Sequence, residues 1–377
     1  MAGVTKTAAN ILPALLLVGC GRSTWVVPPA PAGAPALQPA LEDAFARAAA
    51  RREADYREIV APGSFERALA DRLSTRDLQS WARAGEELFV RDVRTGPVDP
   101  VRRAGAGERA VADATRCAGC HHRGGQAGAG SYADLAYYDA PDGDLLRARP
   151  RLPPMLVGAA LLELAARGDQ SRQPFGRAPG RPRRVRDMIA ACAAEHLGAR
   201  WDDARVDAVA AWLAVLPEPI AETRMRDALL LRAARGRAAF QRVGCASCHT
   251  PSLAVSQPLL ALAEGRRLDL RARLSRDGEP PYQVWAYSDL RAHDLGPALA
   301  DPDGAAQFVT APLWGLDSRG PYLHDGRAAT VPDAIEAHAG EAATAREQYR
   351  ALPGPEQSDL RIFLASLTRP ATVEGIP

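Results

Sequence analysis

Cys117-Ala118-Gly119-Cys120-His121 and Cys245-Ala246-Ser247-Cys248-His249 are two copies of C-x-x-C-H in one chain. In this spacing two thiols can add across the two vinyl groups of one porphyrin while the adjacent imidazole ligates iron from the same face, which is the attachment chemistry of c-type haem. The reading predicts two covalent c-type haems, thioether links at Cys117, Cys120, Cys245 and Cys248, and His121 and His249 as proximal iron ligands. A lone C-x-x-C is also half a zinc site or a dithiol redox pair. Zinc would need a second Cys or His pair for each motif, and the only other cysteines are Cys20 and Cys192.

The start of the chain supplies a compartment. Lys6 precedes an apolar run from Ile11 to Val18, and Leu17-Val18-Gly19-Cys20 resembles the lipobox of bacterial lipoproteins. A run this short is a signal-peptide core and does not span a bilayer. The lipobox implies cleavage before Cys20 and lipidation of its thiol, so residues 1–19 are read as signal peptide and the membrane as a partner through the anchor. Haem attachment to C-x-x-C-H takes place outside the bacterial cytoplasm, so the two features agree on a periplasm-facing or cell-surface lipoprotein. Gly21 after the lipidated position favours the outer membrane. The alternative is an ordinary secretory signal with a chance cysteine.

The chain has 377 residues, 47% of them hydrophobic, and a formal charge of +2. Length and composition predict two or three packed domains. Lys6 is the sole lysine, and the arginines are dispersed among similar numbers of Asp and Glu, so no nucleic-acid footprint is read. Val26 to Ala40 is dense in Pro and Ala and reads as a semi-extended spacer, giving a lipidated Cys and linker over residues 20–40. Beyond it, apolar residues recur at helical spacing over Leu41–Glu53, Ser74–Phe89, Arg184–His196, Asp202–Leu216, Met225–Gln241, Val331–Ala339 and Glu356–Leu367. Alternating strand-like runs are nearly absent, and Gly and Pro punctuate long loops. The expected fold is mainly α and loop-rich.

A weak internal repeat orders these elements. Gly85 and Phe89 end a helix ahead of the first C-x-x-C-H, as Gly236 and Phe240 do ahead of the second. Pro153-Pro154-Met155 follows the first motif as Ala311-Pro312-Leu313-Trp314-Gly315 follows the second, and each half closes with an amphipathic helix. Helix, C-x-x-C-H, loops and terminal helix resemble the cytochrome c fold twice over. The expected units are cytochrome c-like haem domains over residues 41–217 and 218–377, with Pro217–Pro219 at the boundary.

Phe308-Val309-Thr310-Ala311-Pro312-Leu313-Trp314-Gly315-Leu316, Gly320-Pro321-Tyr322-Leu323-His324-Asp325-Gly326-Arg327-Ala328 and Ala334-Ile335-Glu336-Ala337-His338-Ala339-Gly340-Glu341-Ala342 closely resemble a bacterial di-haem oxidoreductase family whose members are often labelled thiol oxidoreductases. Tyr287 to Pro297 also resembles that family's segment between the second haem motif and the Pro-Leu-Trp-Gly block. The family is similar in turn to di-haem cytochrome c peroxidases and to the di-haem enzyme that matures methylamine dehydrogenase. The resemblance places His338 where the peroxidase relatives carry Met and the maturation enzyme carries Tyr, which makes it the candidate distal ligand of the C-terminal haem. A surface His at a helix end is the alternative. His293, Trp314, Tyr322, His324 and Arg327 are candidate haem-pocket residues, with Arg327 suited to a propionate.

The N-terminal haem is less legible. Met155 is one distal candidate, although the repeat pairs it with Leu313, and His196 is another, beside a slot that strict alignment of the repeat gives to Cys192. An open or weakly held sixth site there would allow a bound oxidant. The expectation is a peroxidase-like oxidoreductase that takes electrons from a small redox protein or other donor through the C-terminal haem and passes them to peroxide or another small oxidant at the N-terminal haem. The alternatives are an electron-carrying di-haem cytochrome without substrate chemistry, and a tethered subunit of a larger redox assembly. Thiol chemistry gains no support, because the haem motifs consume four cysteines, Cys20 is acylated and Cys192 stands alone.

Overall fold

A computed structural model describes residues 75–91, 93, 101–104, 116–121, 137–141, 149–176, 180–216, 228–274, 282–301, 304–316 and 321–367. The lipobox with Cys20, the spacer, the Leu41–Glu53 helix and the Pro217–Pro219 boundary lie outside these residues. The described helices are α1 (Thr75–Val90), α2 (Ala118–His121), α3 (Ala159–Ala166), α4 (Val185–Leu197), α5 (Asp203–Val215), α6 (Ala228–Arg242), α7 (Arg271–Leu274), α8 (Val331–Ala337), α9 (Ala343–Arg350) and α10 (Gly354–Ser366). Helices predicted from periodicity at 74, 184, 202, 225, 331 and 356 correspond to α1, α4, α5, α6, α8 and α10. Of the other four, α2 and α7 are four residues long, too short to show a period. α3 is buried at all eight positions, so it shows no polar face to read, and in α9 only Tyr349 is fully buried.

Strands are short, as the lack of alternation implied. Val101–Ala104 pairs parallel with Tyr137–Pro141, which pairs antiparallel with Arg149–Arg151. The remaining strands form three antiparallel ribbons of three residues a side. Leu253–Val255 lies against Tyr282–Val284, Leu259–Ala261 against Arg267–Asp269, and Ala292–Asp294 against Gln307–Val309. These ribbons fold the chain between the second C-x-x-C-H and the α8 segment.

Two helix crossings organise the molecule, and they are built alike. α1 crosses α5 where Gly85 faces Ala208 and Trp212, and a Cβ on Gly85 would overlap the Ala208 carbonyl and come 2.9 Å from the Trp212 Cβ. α6 crosses α10 where Gly236 faces Asp359 and Phe363, and a Cβ there would overlap the Asp359 carbonyl and come 2.8 Å from the Phe363 Cβ. Glycine at each crossing lets the backbones approach closer than any side chain allows. One turn on, Phe89 packs on Trp212 at 4.5 Å and Phe240 on Phe363 at 5.3 Å. The repeat therefore has a structural basis in the packing of its first and last helices.

The halves are not separate cores. One apolar cluster joins α1, α3 and α5 to Leu253, Val255, Leu260, Leu268, Val284, Leu290 and Trp314 from the second half. Fully buried Asp207 on α5 reinforces this join, accepting from Arg186 on α4, from the Ala263 backbone N–H at 2.9 Å and from Arg266 at 3.4 Å. A smaller cluster of Phe240, Val243, Tyr287, Tyr349, Leu360, Phe363 and Leu364 lies within the second half.

Candidate functional site

The second C-x-x-C-H follows α6 directly, while the strand Val101–Ala104 lies between α1 and the first, yet in both halves the motif imidazole packs beside the aromatic residue of the crossing. Phe89 lies 6.4 Å from His121 and Phe240 lies 6.5 Å from His249, between ring centroids. His121 donates from Nδ1 to the Pro154 carbonyl at 3.1 Å, and His249 donates from Nδ1 to the Tyr287 carbonyl at 3.0 Å. In a neutral imidazole this sets the tautomer and leaves the acceptor lone pair on Nε2, the nitrogen that could take a metal, which is how proteins usually orient a ligating histidine. Tyr287 takes a left-handed φ of 49° to present that carbonyl. A non-glycine residue held there costs energy that the surrounding packing must offset, and such strain concentrates at functional sites.

The second half contains an open, mainly apolar cleft. Cys245, Cys248 and His249 line one side, and Val331, Ala334, Ile335 and His338 line another. α8 is held by a capping box between Thr330 and Asp333 and ends at Ala337, so His338 is the C-cap residue and not part of the helix. This C-cap position turns its ring into the cleft, with Nδ1 donating to the Ala334 carbonyl at 2.6 Å. The His249 and His338 ring centroids are 6.4 Å apart. Two metal–imidazole bonds of about 2 Å each would set the centroids of opposed rings roughly 6 Å apart, so the pair fits a single iron between them. Burial, and then the neighbouring His338, push His249 down to about 4, and burial also lowers His338, so both rings are held neutral, as ligation requires.

The other pocket residues divide into walls and clamps. Trp314, Tyr322, His324 and His293 all line the cleft. Trp314 is buried and donates its indole N–H to the Trp285 carbonyl at 2.7 Å, and the Tyr322 hydroxyl donates to the Leu316 carbonyl at 2.8 Å. His293 sits between Asp289 at 2.8 Å and Glu341 at 2.9 Å. Burial pulls its pKa down, but the bonds to Glu341 and Asp289 outweigh this and raise it. His324 stacks on Phe308 at 4.2 Å and meets Asp301 at 3.2 Å. Arg327 is turned to Asp325 at 2.5 Å and to the Ala298 carbonyl at 2.6 Å, and it is not among the residues that line the cleft.

Around the first motif, Cys117, Met155 and Met188 pack against the large shared cluster. Met155 follows Pro154, whose carbonyl holds His121, so its loop approaches from the proximal side. His196 lies in the last turn of α4. Cys192 is one turn before it, with its Sγ 3.5 Å from the Met188 Sδ. Cys192 is also near enough to Cys117 to raise that thiol's pKa. Periodicity reads Met188 as core, so sequence reasoning missed this pair of sulfurs. As thiols Cys117 and Cys245 are poor nucleophiles. Burial first, then the nearby cysteines, push Cys117 up to about 12, and burial pushes Cys245 up to about 11. A dithiol redox pair has lowered thiol pKa values. Among the described residues no group of three His, Cys, Asp or Glu converges as a bare metal site, and no helix is long and apolar enough to cross a membrane.

Residues 203–367 match the family described as "Di-haem oxidoreductase, putative peroxidase". Similar solved structures include hydrazine synthase from Kuenenia stuttgartiensis, with 16% identity, a TM-score of 0.43, and 78% of this chain and 93% of that one covered. A MauG-like protein associated with microbial copper homeostasis is similar at 14% identity and a TM-score of 0.42, with 77% of this chain and 88% of that one covered. No curated protein matches the chain.

Proposed function

Starting from the membership of residues 203–367 in the di-haem oxidoreductase family, we propose that the protein is a di-haem c-type oxidoreductase of peroxidase-like activity. One haem is attached at Cys117 and Cys120 with His121 as proximal ligand, and the other at Cys245 and Cys248 with His249 and His338 on either side. Bound haem would supply one-electron storage and, where the iron keeps an open position, a site for peroxide or another small oxidant. The observation that carries the reading is the His249–His338 pair, facing across an apolar cleft at 6.4 Å with Nδ1 of each ring committed to a backbone carbonyl.

The chain's own groups set the division of labour. His338 closes the second side of the C-terminal site and confines it to electron transfer, while Leu313, Ile335 and Leu364 exclude water from it. Electrons enter there from a small redox protein or other donor and leave to an oxidant at the N-terminal site. Cys20 would tether the chain as a periplasm-facing lipoprotein of the outer membrane.

Pyridine haemochrome assay should return two c-type haems per chain. The protein should bind cyanide at no more than one of them and oxidise a reduced cytochrome or dye when hydrogen peroxide is added. Two haems that both stay low-spin and inert to peroxide, oxidised or half-reduced, would refute the peroxidase-like activity. Electron carriage alone would then be the better reading, and the Met188 and Cys192 sulfurs beside Cys117 are the observation that favours it. Changing Cys20→Ser should release the protein from the membrane fraction, and unchanged fractionation would refute the anchor.

A further inference from the structure

Two residues of one short loop in the first half, Leu152 and Pro154, reach the two sites between them. The Pro154 carbonyl accepts from His121, the Leu152 side chain lines the cleft of the second site, and the Leu152 N–H donates to the His324 carbonyl at 2.9 Å. The residue just before them, Arg151, makes a two-pronged ion pair with Asp301, at 3.0 and 2.6 Å. Asp301 also meets His324 Nε2 at 3.2 Å, and His324 stacks on the cleft wall at Phe308. The cluster is well enclosed, with side-chain exposures of 19% for Arg151, 12% for Asp301 and 7% for His324. Leu323, next to His324, holds a left-handed φ of 71°.

We propose that Arg151, Asp301 and His324 form a latch between the halves that positions the Leu152–Pro154 loop, so that the wall of the C-terminal cleft governs the hydrogen bond received from the N-terminal proximal histidine. This inference rests on the reading of His121 as an iron ligand and adds a positioning role that the attachment motifs do not contain. The bond from Nδ1 to a carbonyl makes an imidazole a stronger donor to its metal, which favours the oxidised state. Asp301 holds Arg151 and His324 from one carboxylate, so loss of Arg151 or of the Asp301 carboxylate loosens the loop. The bidentate geometry of the guanidinium also fixes the direction from which Arg151 enters the loop. With the carbonyl of Pro154 displaced, His121 donates less strongly and the reduction potential of its haem rises.

The test separates mechanical from electrostatic effects, using full-length haem-loaded protein. Arg151→Gln removes a positive charge and Asp301→Asn a negative one, so simple charge effects shift a nearby potential in opposite directions. The latch predicts that both variants raise the potential of the same haem. That haem is the one whose signal disappears in a Cys117→Ser/Cys120→Ser protein. The C-terminal haem should follow the charge and move oppositely in the two variants. Asp301→Glu should restore most of the shift, and Arg242→Gln, which removes a surface pair with Glu356, should leave both potentials in place. Opposite shifts at the N-terminal haem, or none, overturn the latch. If the unmodified protein carries no haem at Cys117 and Cys120, the functional reading fails and the latch fails with it. Should Asp301→Asn not fold, Arg151→Lys compared with the unmodified protein decides the matter, because charge is then constant and only the two-pronged geometry is lost: a raised potential at the N-terminal haem supports the latch, and no shift overturns it.

Discussion

The two C-x-x-C-H sites share a proximal side and differ on the other. On the proximal side a glycine crossing, an aromatic residue one turn on and a backbone carbonyl accepting from Nδ1 recur in both halves. At the second site an imidazole at a helix C-cap faces His249, whereas near the first it is Cys192 of α4, its Sγ on the Met188 Sδ, that lies close to Cys117. Close helix packing leaves few solutions, so the crossing is repeated nearly unchanged. The far wall needs only an apolar surface and one group of suitable chemistry, so it is free to diverge. In this molecule divergence of function is expected where packing constrains least.

The largest effect is expected from breaking what the halves have in common. Gly85→Val and Gly236→Val each force a branched side chain into a carbonyl at a crossing, and each should cost about 3 kcal/mol or more. Thermal unfolding and haem content measure this. Equal losses would show that the crossings are equivalent, and a tolerant Gly85 would show that the first half relies more on the shared core than on its own crossing.

The difference is probed next. His338→Ala should convert one haem from low-spin to high-spin in electron paramagnetic resonance while both remain covalently attached. His196→Ala should leave the spectrum unchanged, and a new high-spin signal in that variant would make the halves alike.

Asp301 gives an effect of intermediate size with a defined pH window. Burial opposes its ionisation, but the bonds from His324 and Arg151 prevail and lower its pKa from 3.8 to about 2. A carboxylate with a depressed folded pKa binds more protons when unfolded. Its stabilisation is therefore complete above pH 4 and is lost as the pH falls from about 4 to 2. Asp301→Asn should lose about 1 to 2 kcal/mol at pH 6, and the gap to the unmodified protein should close in that window. A gap that persists at pH 2 would mean the effect comes from packing and not from the ionised pair.

The smallest effect is expected at the sulfurs. Met188→Leu should change stability by about 1 kcal/mol or less, because the swap nearly conserves volume. It should also leave the spin state of the His121 haem as it was. A conversion to high-spin would identify Met188 as a ligand and erase the contrast between the sites.

Much of the helical frame was legible from apolar residues at three- and four-residue spacing in the sequence, even in α5, where Val206 to Val215 are all buried, and in α8, where no residue is fully buried. α3 escaped because it has only eight residues, all but Glu163 apolar, and the three-residue ribbons escaped because so few positions cannot alternate. Pro154 and Tyr287 act through backbone carbonyls, which every residue possesses, so no side-chain pattern announces them. Asp301 sits in Asp301-Pro302-Asp303-Gly304, which reads as a turn and conceals an ion pair to Arg151.

The sequence alone determined the spacing of the two C-x-x-C-H motifs, the repeat and the residue pairs Gly85–Phe89 and Gly236–Phe240, because motif spacing and helical period are local properties. Tertiary structure alone decided that His338 faces His249 at 6.4 Å, that one core runs through both halves, and that Arg151 meets Asp301 across them. Each of these joins residues distant in the chain. Which distant groups meet is settled by the packing of whole elements, and no local pattern records it.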